Sequence, residues 1–369
     1  MKNIEILKKI VKYKTNGNEQ GINRCVNYIK KVLSKNGWKT LLIKNNENKK
    51  NNLIAVLNGE LSNLNNAILL AGHIDTVVAN KDKWESDPYI LTERDENLYG
   101  LGVADMKAFT SIILANLNSI NKINTNKPIV FVLTNDEETV MYGVNRVVDY
   151  LKENNINLSY AIIGEPSSCN FATSNMGFYE FETTINGKAC HSSNPQFGIN
   201  SIYIMSKVVT YIESLANEYL SQGTTINVGI INGGTMCNIV AENCSIRWDV
   251  RTFSREVLQE IQNKVDAFLN NLTKEYLGSS CTNKIVFKIP AFSYVKNETT
   301  ENLMTKFNIQ EMSYSAATEA GFYQELGANC VIFGCGDIKD CHKVNEKINK
   351  EEYLNYQQLL LNILKDICK

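Results

Sequence analysis

The only imidazoles in the 369-residue chain are His73, His191 and His342, and each sits in a polar strand-end or loop context. His73 lies in Gly-His-Ile-Asp-Thr, directly after an apolar run at 67–71. In an extended segment Asp75 returns to the same side as His73. A carboxylate there can hold the second imidazole nitrogen and raise the basicity of the first. Asp105 sits in Gly-Val-Ala-Asp-Met-Lys before a helical pattern, where a helix cap is the simpler role. Glu137 and Glu138 follow Asp136 after a second apolar run; consecutive carboxylates repel one another unless solvated or neutralised by a cation. Glu165 ends a third run as Gly-Glu-Pro, and His342 follows a fourth. Taken singly, each has an ordinary structural explanation: a strand-end His paired to an Asp, a cap, a solvated turn. As a set, two imidazoles and several carboxylates at the ends of neighbouring strands are the ligand chemistry of zinc and its divalent relatives. With one carboxylate bridging, the set suits two ions about 3.5–4 Å apart. It needs no cysteine, which argues against a closed structural zinc site.

The elements that must position these groups are legible as hydrophobic patterns. Helical periodicity runs over 4–14 and 21–36, the second stopped at Gly37-Trp38. The apolar runs 67–71, 129–133, 160–163 and 330–333 each end abruptly in a polar cluster and read as strands buried on both faces, joined by helices such as 106–119. In an open α/β sheet, functional groups collect beyond the carboxyl ends of such strands. The middle of the chain differs: 178–185 alternates, 201–220 is helical, 225–231 and 244–250 are strand-like, and 254–277 is helical again. That order suits a small antiparallel sheet with two helices on one face. After about residue 286 the buried-strand pattern returns, and 350–368 reads as a closing helix. The expected fold is therefore α/β. A discontinuous catalytic domain (1–176 and 287–369) has a mostly parallel sheet flanked by helices, and it carries an inserted α+β domain at 177–286.

Composition narrows the partners. A hydrophobic fraction of 44% is ample for a buried core, and a formal net charge of −1 gives no reason to expect nucleic acid or a membrane surface. Lys49 and Lys50 lie in an Asn-rich stretch that reads as a solvated loop. No apolar run is long enough to span a bilayer, and the first residues have helical spacing in place of a signal peptide's apolar block. The ten scattered cysteines read as buried or free thiols of a cytoplasmic protein, including Cys190 and Cys341, which immediately precede two of the histidines. No His-Glu-x-x-His helix is present.

The motifs GHIDTV (72–77), GLGVADMKA (100–108), TNDEE (134–138), GEPSS (164–168), CHSSNPQFGINSI (190–202) and CHKVNE (341–346) follow one another in order across nearly the whole chain. In them the sequence resembles the metallo-dependent aminoacylase and carboxypeptidase-type family that includes acetylornithine deacetylase and succinyl-diaminopimelate desuccinylase. The resemblance implies that His73, Asp105 and Glu165 bind one metal ion and Asp105, Glu138 and His342 the other, with zinc, cobalt or manganese suiting the ligands. It makes Glu137 the general base and Asp75 the partner of His73. It implies a homodimer, the inserted domain serving as lid and dimerisation domain, with His191 reaching the partner subunit's site. Asn238 and Arg251, in CNIVAENCSIRWDVR, match positions that bind the substrate's carboxylate or the developing oxyanion. TEAGFYQELG (318–327) resembles the acetylornithine deacetylase group and would put Glu319 near the substrate's amine end. Gly-Cys-Gly-Asp at 334–337 departs from that group's Gly-Pro-Gly-Ser, and His-Lys-Val-Asn-Glu is closer to the desuccinylase group. The expected activity is hydrolysis of an N-acyl amino acid, N-acetylornithine first, in arginine biosynthesis. A desuccinylase, dipeptidase or carboxypeptidase is the alternative. A binding protein that had lost its site would lack the metal and base residues, and all of them are present.

Overall fold

The computed structural model describes residues 2–45 and 49–369, which fall into two compact units. The first is the chain up to Ser174 together with Tyr294–Tyr314 and Thr318–Lys369; the second is Asn175–Ser293 with Ser315–Ala317.

In the first unit the four continuous apolar runs are strands. Ile129–Thr134, Ala67–His73, Leu158–Ile163 and Asn329–Ile332 lie side by side in that order, all parallel. Asn51–Leu57 and then Lys39–Lys44 extend one side of the sheet with antiparallel pairing, and Phe171–Asn175 extends the other. Every residue of Ala67–His73 and Ile129–Thr134 is buried. That is why these strands read as unbroken apolar runs: a strand covered on both faces has no solvent face to alternate with. Ile68, Leu70, Ile129, Phe131, Tyr160 and Ile162 share one core cluster with residues of the helices Lys2–Val11, Glu19–Lys35, Ala108–Ala115 and Lys350–Ile367. Glu19–Lys35 is amphipathic, burying Ile22, Cys25, Val26, Ile29 and Leu33, and its N-cap Asn18 accepts from the Gly21 amide. Ala108–Ala115 is apolar nearly all round and runs through the interior. Its start presses on the strand ends closely enough that a Cβ at Gly164 would stand 2.1 Å from the Phe109 ring.

The second unit is an antiparallel sheet ordered Thr225–Gly233, Asn243–Thr252, Gly177–Asn186, Ser280–Ile289, with the helices Ser201–Leu220 and Arg255–Glu275. Gly177–Asn186 and Asn243–Thr252 alternate inward and outward along their length, and their inner residues pack with both helices. Trp248 stacks on Phe181 at 4.3 Å, and its indole N–H donates to Thr183 Oγ1 at 2.9 Å. The sequence break expected at 286–287 falls inside Ser280–Ile289, which stays paired with Gly177–Asn186 as far as Ile289.

Among the described residues no helix is long and apolar enough to cross a membrane, and all ten cysteines are free thiols. Of the lysine pair read as a solvated loop, Lys49 is exposed but Lys50 is buried.

Candidate active site

Parallel strands bring their carboxyl ends to one edge of the sheet, and the chemistry of the first unit lies there. His73 is the last residue of its strand and pairs in register with Thr134, the last of the neighbouring strand, from which a turn leads to Glu137 and Glu138. Glu165 follows two residues after Leu158–Ile163. Asp105 lies just ahead of Ala108–Ala115 in a non-helical conformation (φ −118°, ψ 91°).

The two imidazoles converge on one carboxylate. His73 Nε2 is 2.9 Å from Asp105 Oδ1 and 3.6 Å from Glu165 Oε1. His342 Nε2 is 3.2 Å from Asp105 Oδ2 and 2.8 Å from Glu138 Oε2. Each oxygen of Asp105 thus faces a different histidine, the arrangement a bridging ligand requires. The ligand atoms of His73, Asp105 and Glu165 lie within 4.8 Å of one another, as do those of Asp105, Glu138 and His342. Asp75 steadies this pair of triads, though differently from the expectation. His73 Nδ1 meets the Asp75 backbone carbonyl at 3.1 Å, with carboxylate Oδ1 farther at 3.6 Å, and Oδ2 accepts from the Glu138 amide at 3.1 Å. Asp75 Oδ1 is buried without a hydrogen bond.

The electrostatics are those of a site with surplus negative charge. Burial opposes a charge on His73, but Glu165, Asp105 and Asp75 outweigh it and lift its pKa well above the usual imidazole value. Hydrogen bonds to Asp105 and Glu138 raise His342 to about 10. Burial also opposes ionisation of Asp105, yet its hydrogen bonds to His342 and His73 hold it well below the usual carboxylate range. Burial, with Asp105 adding, pushes Glu165 well above that range. Glu137 is raised likewise, first by burial and then by Glu165, Glu138 and Asp105 against the pull of His73. Among the described residues it has no hydrogen-bond partner. Five crowded carboxylates, two imidazoles aimed at opposite oxygens of one of them, and an orphaned buried carboxylate oxygen fit a pair of divalent cations.

Glu319 belongs to the same unit but is 2% exposed; Thr134 and Tyr323 hydroxyls donate to its carboxylate at 2.5 and 3.1 Å. Burial raises it to about 7. The remaining candidates lie in the second unit. His191 is exposed, and its Nδ1 accepts from the Ser193 amide at 3.2 Å. In the neutral ring that acceptor role leaves the proton on Nε2. The Ser192 amide bonds to the Asn238 carbonyl at 3.0 Å, so His191 and Asn238 sit on paired segments. Arg251, on Asn243–Thr252, is exposed, with its guanidinium 4.5 Å from the Phe178 ring centroid and Nε 3.7 Å from Asp249 Oδ1. Two buried ionisable side chains beside the metal-type triads have no clear signal in the sequence. Glu346 accepts from the amides of Gly102, Ala104 and Asp105, and Lys107 donates to main-chain carbonyls. The only sequence signal for Glu346 is its place at the end of the CHKVNE motif.

Known proteins share both the sequence and the fold. Residues 69–366 match the family described as peptidase family M20/M25/M40. The chain belongs to that family. It is a metal-dependent hydrolytic enzyme, and the resemblance carried by the six motifs holds. Its relatives include the acetylornithine deacetylase of Aliivibrio salmonicida, 32% identical over 76% of this chain and 75% of that protein. That of Proteus mirabilis is 30% identical over 86% and 82%. Among solved structures, a tripeptidase from Staphylococcus aureus superposes with TM-score 0.71 at 21% identity, covering 100% of this chain and 98% of that one. An M20 family metallo-carboxypeptidase from Sulfolobus solfataricus does so with TM-score 0.66 at 16% identity, covering 100% and 99%. The M20 fold accordingly accounts for both units, the mainly parallel sheet flanked by helices and the separate antiparallel sheet.

Proposed function

We propose that this M20 enzyme deacylates an N-acyl amino acid in the cytoplasm as a homodimer, with N-acetylornithine as its substrate in arginine biosynthesis. The observation that carries the reading is Asp105, whose two oxygens face His73 and His342, with the unpartnered Glu137 beside them. Named relatives at about 30% identity support the choice of substrate, as does TEAGFYQELG at 318–327.

In this reading His73, Asp105 and Glu165 would hold one ion and Asp105, Glu138 and His342 the other. Zinc suits this ligand set, as do cobalt and manganese. Bound there, divalent ions polarise an amide carbonyl and lower the pKa of water towards about 7. The chain's own groups do the rest. Glu137 takes the proton of the attacking water and returns it to the departing amine nitrogen. His191 donates its Nε2–H to the oxygen that becomes negative in the tetrahedral state, and such donors are worth roughly 2.7–4 kcal/mol. Asn238 and Arg251 hold the substrate's carboxylate. Glu319, occupied by two hydroxyls, favours a cationic substrate side chain by its field and makes no direct contact.

Hydrolysis of a panel tests the substrate: N-acetylornithine, other N-acetyl amino acids, N-succinyl-diaminopimelate and simple dipeptides, each with added Zn²⁺ or Co²⁺. N-acetylornithine is expected to give the highest kcat/KM. A preference for the succinyl substrate would favour the second reading, to which His-Lys-Val-Asn-Glu at 342–346 points. No hydrolysis of any member by metal-loaded protein would overturn both.

Dimerisation is supported by the edge strand Thr225–Gly233, which exposes Ile230 and Ile231 and offers unpaired backbone groups to a second copy. If His191 acts in the partner's site, mixing inactive Glu137→Ala and His191→Ala chains after subunit exchange should restore activity. Half of the hybrid's sites would be complete, giving about a quarter of the wild-type rate for random pairing. No recovery in verified hybrids would place His191 in its own protomer's site.

A further inference from the structure

We propose that Glu346 is a positioning residue that sets the bridging carboxylate of Asp105 between the two histidines, so that metal affinity depends on a side chain that touches no metal. The inference rests on reading the triads as a metal centre and goes beyond it, since Glu346 belongs to neither triad. Its carboxylate is 2% exposed. Oε2 accepts from the Gly102 amide at 2.8 Å, and Oε1 from the amides of Ala104 at 2.9 Å and Asp105 at 3.2 Å. Its backbone carbonyl accepts from Gly100 at 3.1 Å. Just after it, Lys347–Asn349 pairs with Asn97–Tyr99, so the same junction is closed by a short ladder.

These bonds act on the turn together with the Val103 amide on the Gly100 carbonyl at 3.2 Å and the Lys107 amide on the Gly102 carbonyl at 2.8 Å. Gly102 has φ +76°, a Cβ there would stand 2.5 Å from Thr76 Cγ2, and Asp105 is non-helical immediately before a buried helix. Three converging amides make Glu346 an anchor for the Gly102–Asp105 backbone in the way a capping carboxylate anchors a helix start. Burial lifts the pKa of Glu346 to about 8 and lowers that of the fully buried Lys107 to about 8; Glu346 is among the groups that favour the Lys107 ammonium, which donates to the carbonyls of Tyr13 and Leu101. Because His342 lies four residues before Glu346, one clamp ties the turn bearing the shared ligand to the segment bearing a ligand of the second triad. Shifting that turn by a fraction of an ångström would move both oxygens of Asp105 relative to both imidazoles.

Glu346→Gln separates positioning from simple folding. The amide keeps one acceptor oxygen for Ala104 and Asp105 but turns an N–H₂ towards the Gly102 amide, donor against donor. Metal-free wild-type and variant protein are titrated with Zn²⁺ against a competing chelator, with Co²⁺ absorption spectra and metal-free thermal unfolding recorded in parallel. Outer partners of metal ligands typically contribute 10–100-fold to affinity, and a loss of about that size is expected here, with an altered Co²⁺ spectrum and a metal-free unfolding temperature close to wild type. Wild-type affinity for both equivalents overturns the proposal, as does an affinity loss no larger than the drop in metal-free stability explains. Should the glutamine variant not fold, Glu346→Asp keeps the charge and is shorter by one methylene. The same weakened affinity is expected of it, and wild-type affinity there overturns the proposal. A wild-type chain that took up no metal would instead overturn the metal-centre reading beneath it.

Discussion

Glu137→Ala is expected to lower kcat by about 10²–10⁴-fold, the range over which a positioned general base acts, while leaving two metal equivalents bound and KM within a few-fold of wild type. Every other acidic group in the cluster is committed. Asp105 meets both histidines, Glu138 meets His342, Glu165 faces His73, and Asp75 takes the Glu138 amide. Among the described residues Glu137 has neither a hydrogen bond nor an ion pair, whereas Glu165, also without a hydrogen bond, faces His73 at 3.6 Å, so the oxygens of Glu137 are free to receive a proton. Burial and the neighbouring carboxylates raise its proton affinity well above that of an ordinary glutamate, which suits a group that must accept a proton from water and then release it to an amine. Glu137→Gln, which keeps the shape but cannot take the proton, should be as slow as the alanine variant. Metal analysis and kcat, measured on the same preparations, decide the matter. Loss of metal along with activity would make Glu137 a ligand instead of the base.

The parts of this molecule that sequence reveals are those governed by local pattern. Ala67–His73 and Ile129–Thr134 are legible because burial on both faces forces a continuous apolar run, and Gly177–Asn186 because burial on one face forces alternation. His73, Glu138 and Glu165 are legible as candidates because a polar cluster after a buried strand has to lie at the edge of the sheet. What the pattern does not carry is contact between residues far apart in the chain. Glu346 reaches Gly102 across 244 positions, and Thr134 reaches Glu319 across 185. Nothing in the local sequence distinguishes a buried carboxylate held by three amides from one more exposed glutamate. Spacing suggested that the Asp75 carboxylate holds His73, but in the folded chain the nearer acceptor is the Asp75 carbonyl. A two-residue periodicity gives the side of the strand without saying which oxygen wins. The strand Ser280–Ile289 overran the expected boundary at 286–287 because its exposed outer residues blur the change of texture there.

Asp105→Ala should have the broadest effect of any single change at the site, because Asp105 is the one residue common to both triads. Loss of Glu165 would remove a ligand from one triad only, leaving Asp105, Glu138 and His342 intact, so Glu165→Ala is expected to retain one tight equivalent of metal. Loss of Asp105 leaves each triad with a single imidazole and a single carboxylate, and both equivalents should fall to weak binding. Polarisation by the ions contributes several kcal/mol to the reaction, so kcat/KM should fall by about 10³-fold or more at trace metal, with excess Zn²⁺ or Co²⁺ recovering only part of it. Asp105→Asn sharpens the comparison. The amide keeps the volume and offers one acceptor oxygen, but its N–H₂ must turn towards one of the two imidazole nitrogens. It should therefore bind one ion better than the other, giving a stoichiometry between those of the alanine variant and the wild type. Metal content after dialysis at a fixed free-metal level checks all three variants together. One full equivalent retained by Asp105→Ala would show that a triad stands without its shared carboxylate. The two oxygens facing two histidines would then be a feature of the metal-free geometry alone.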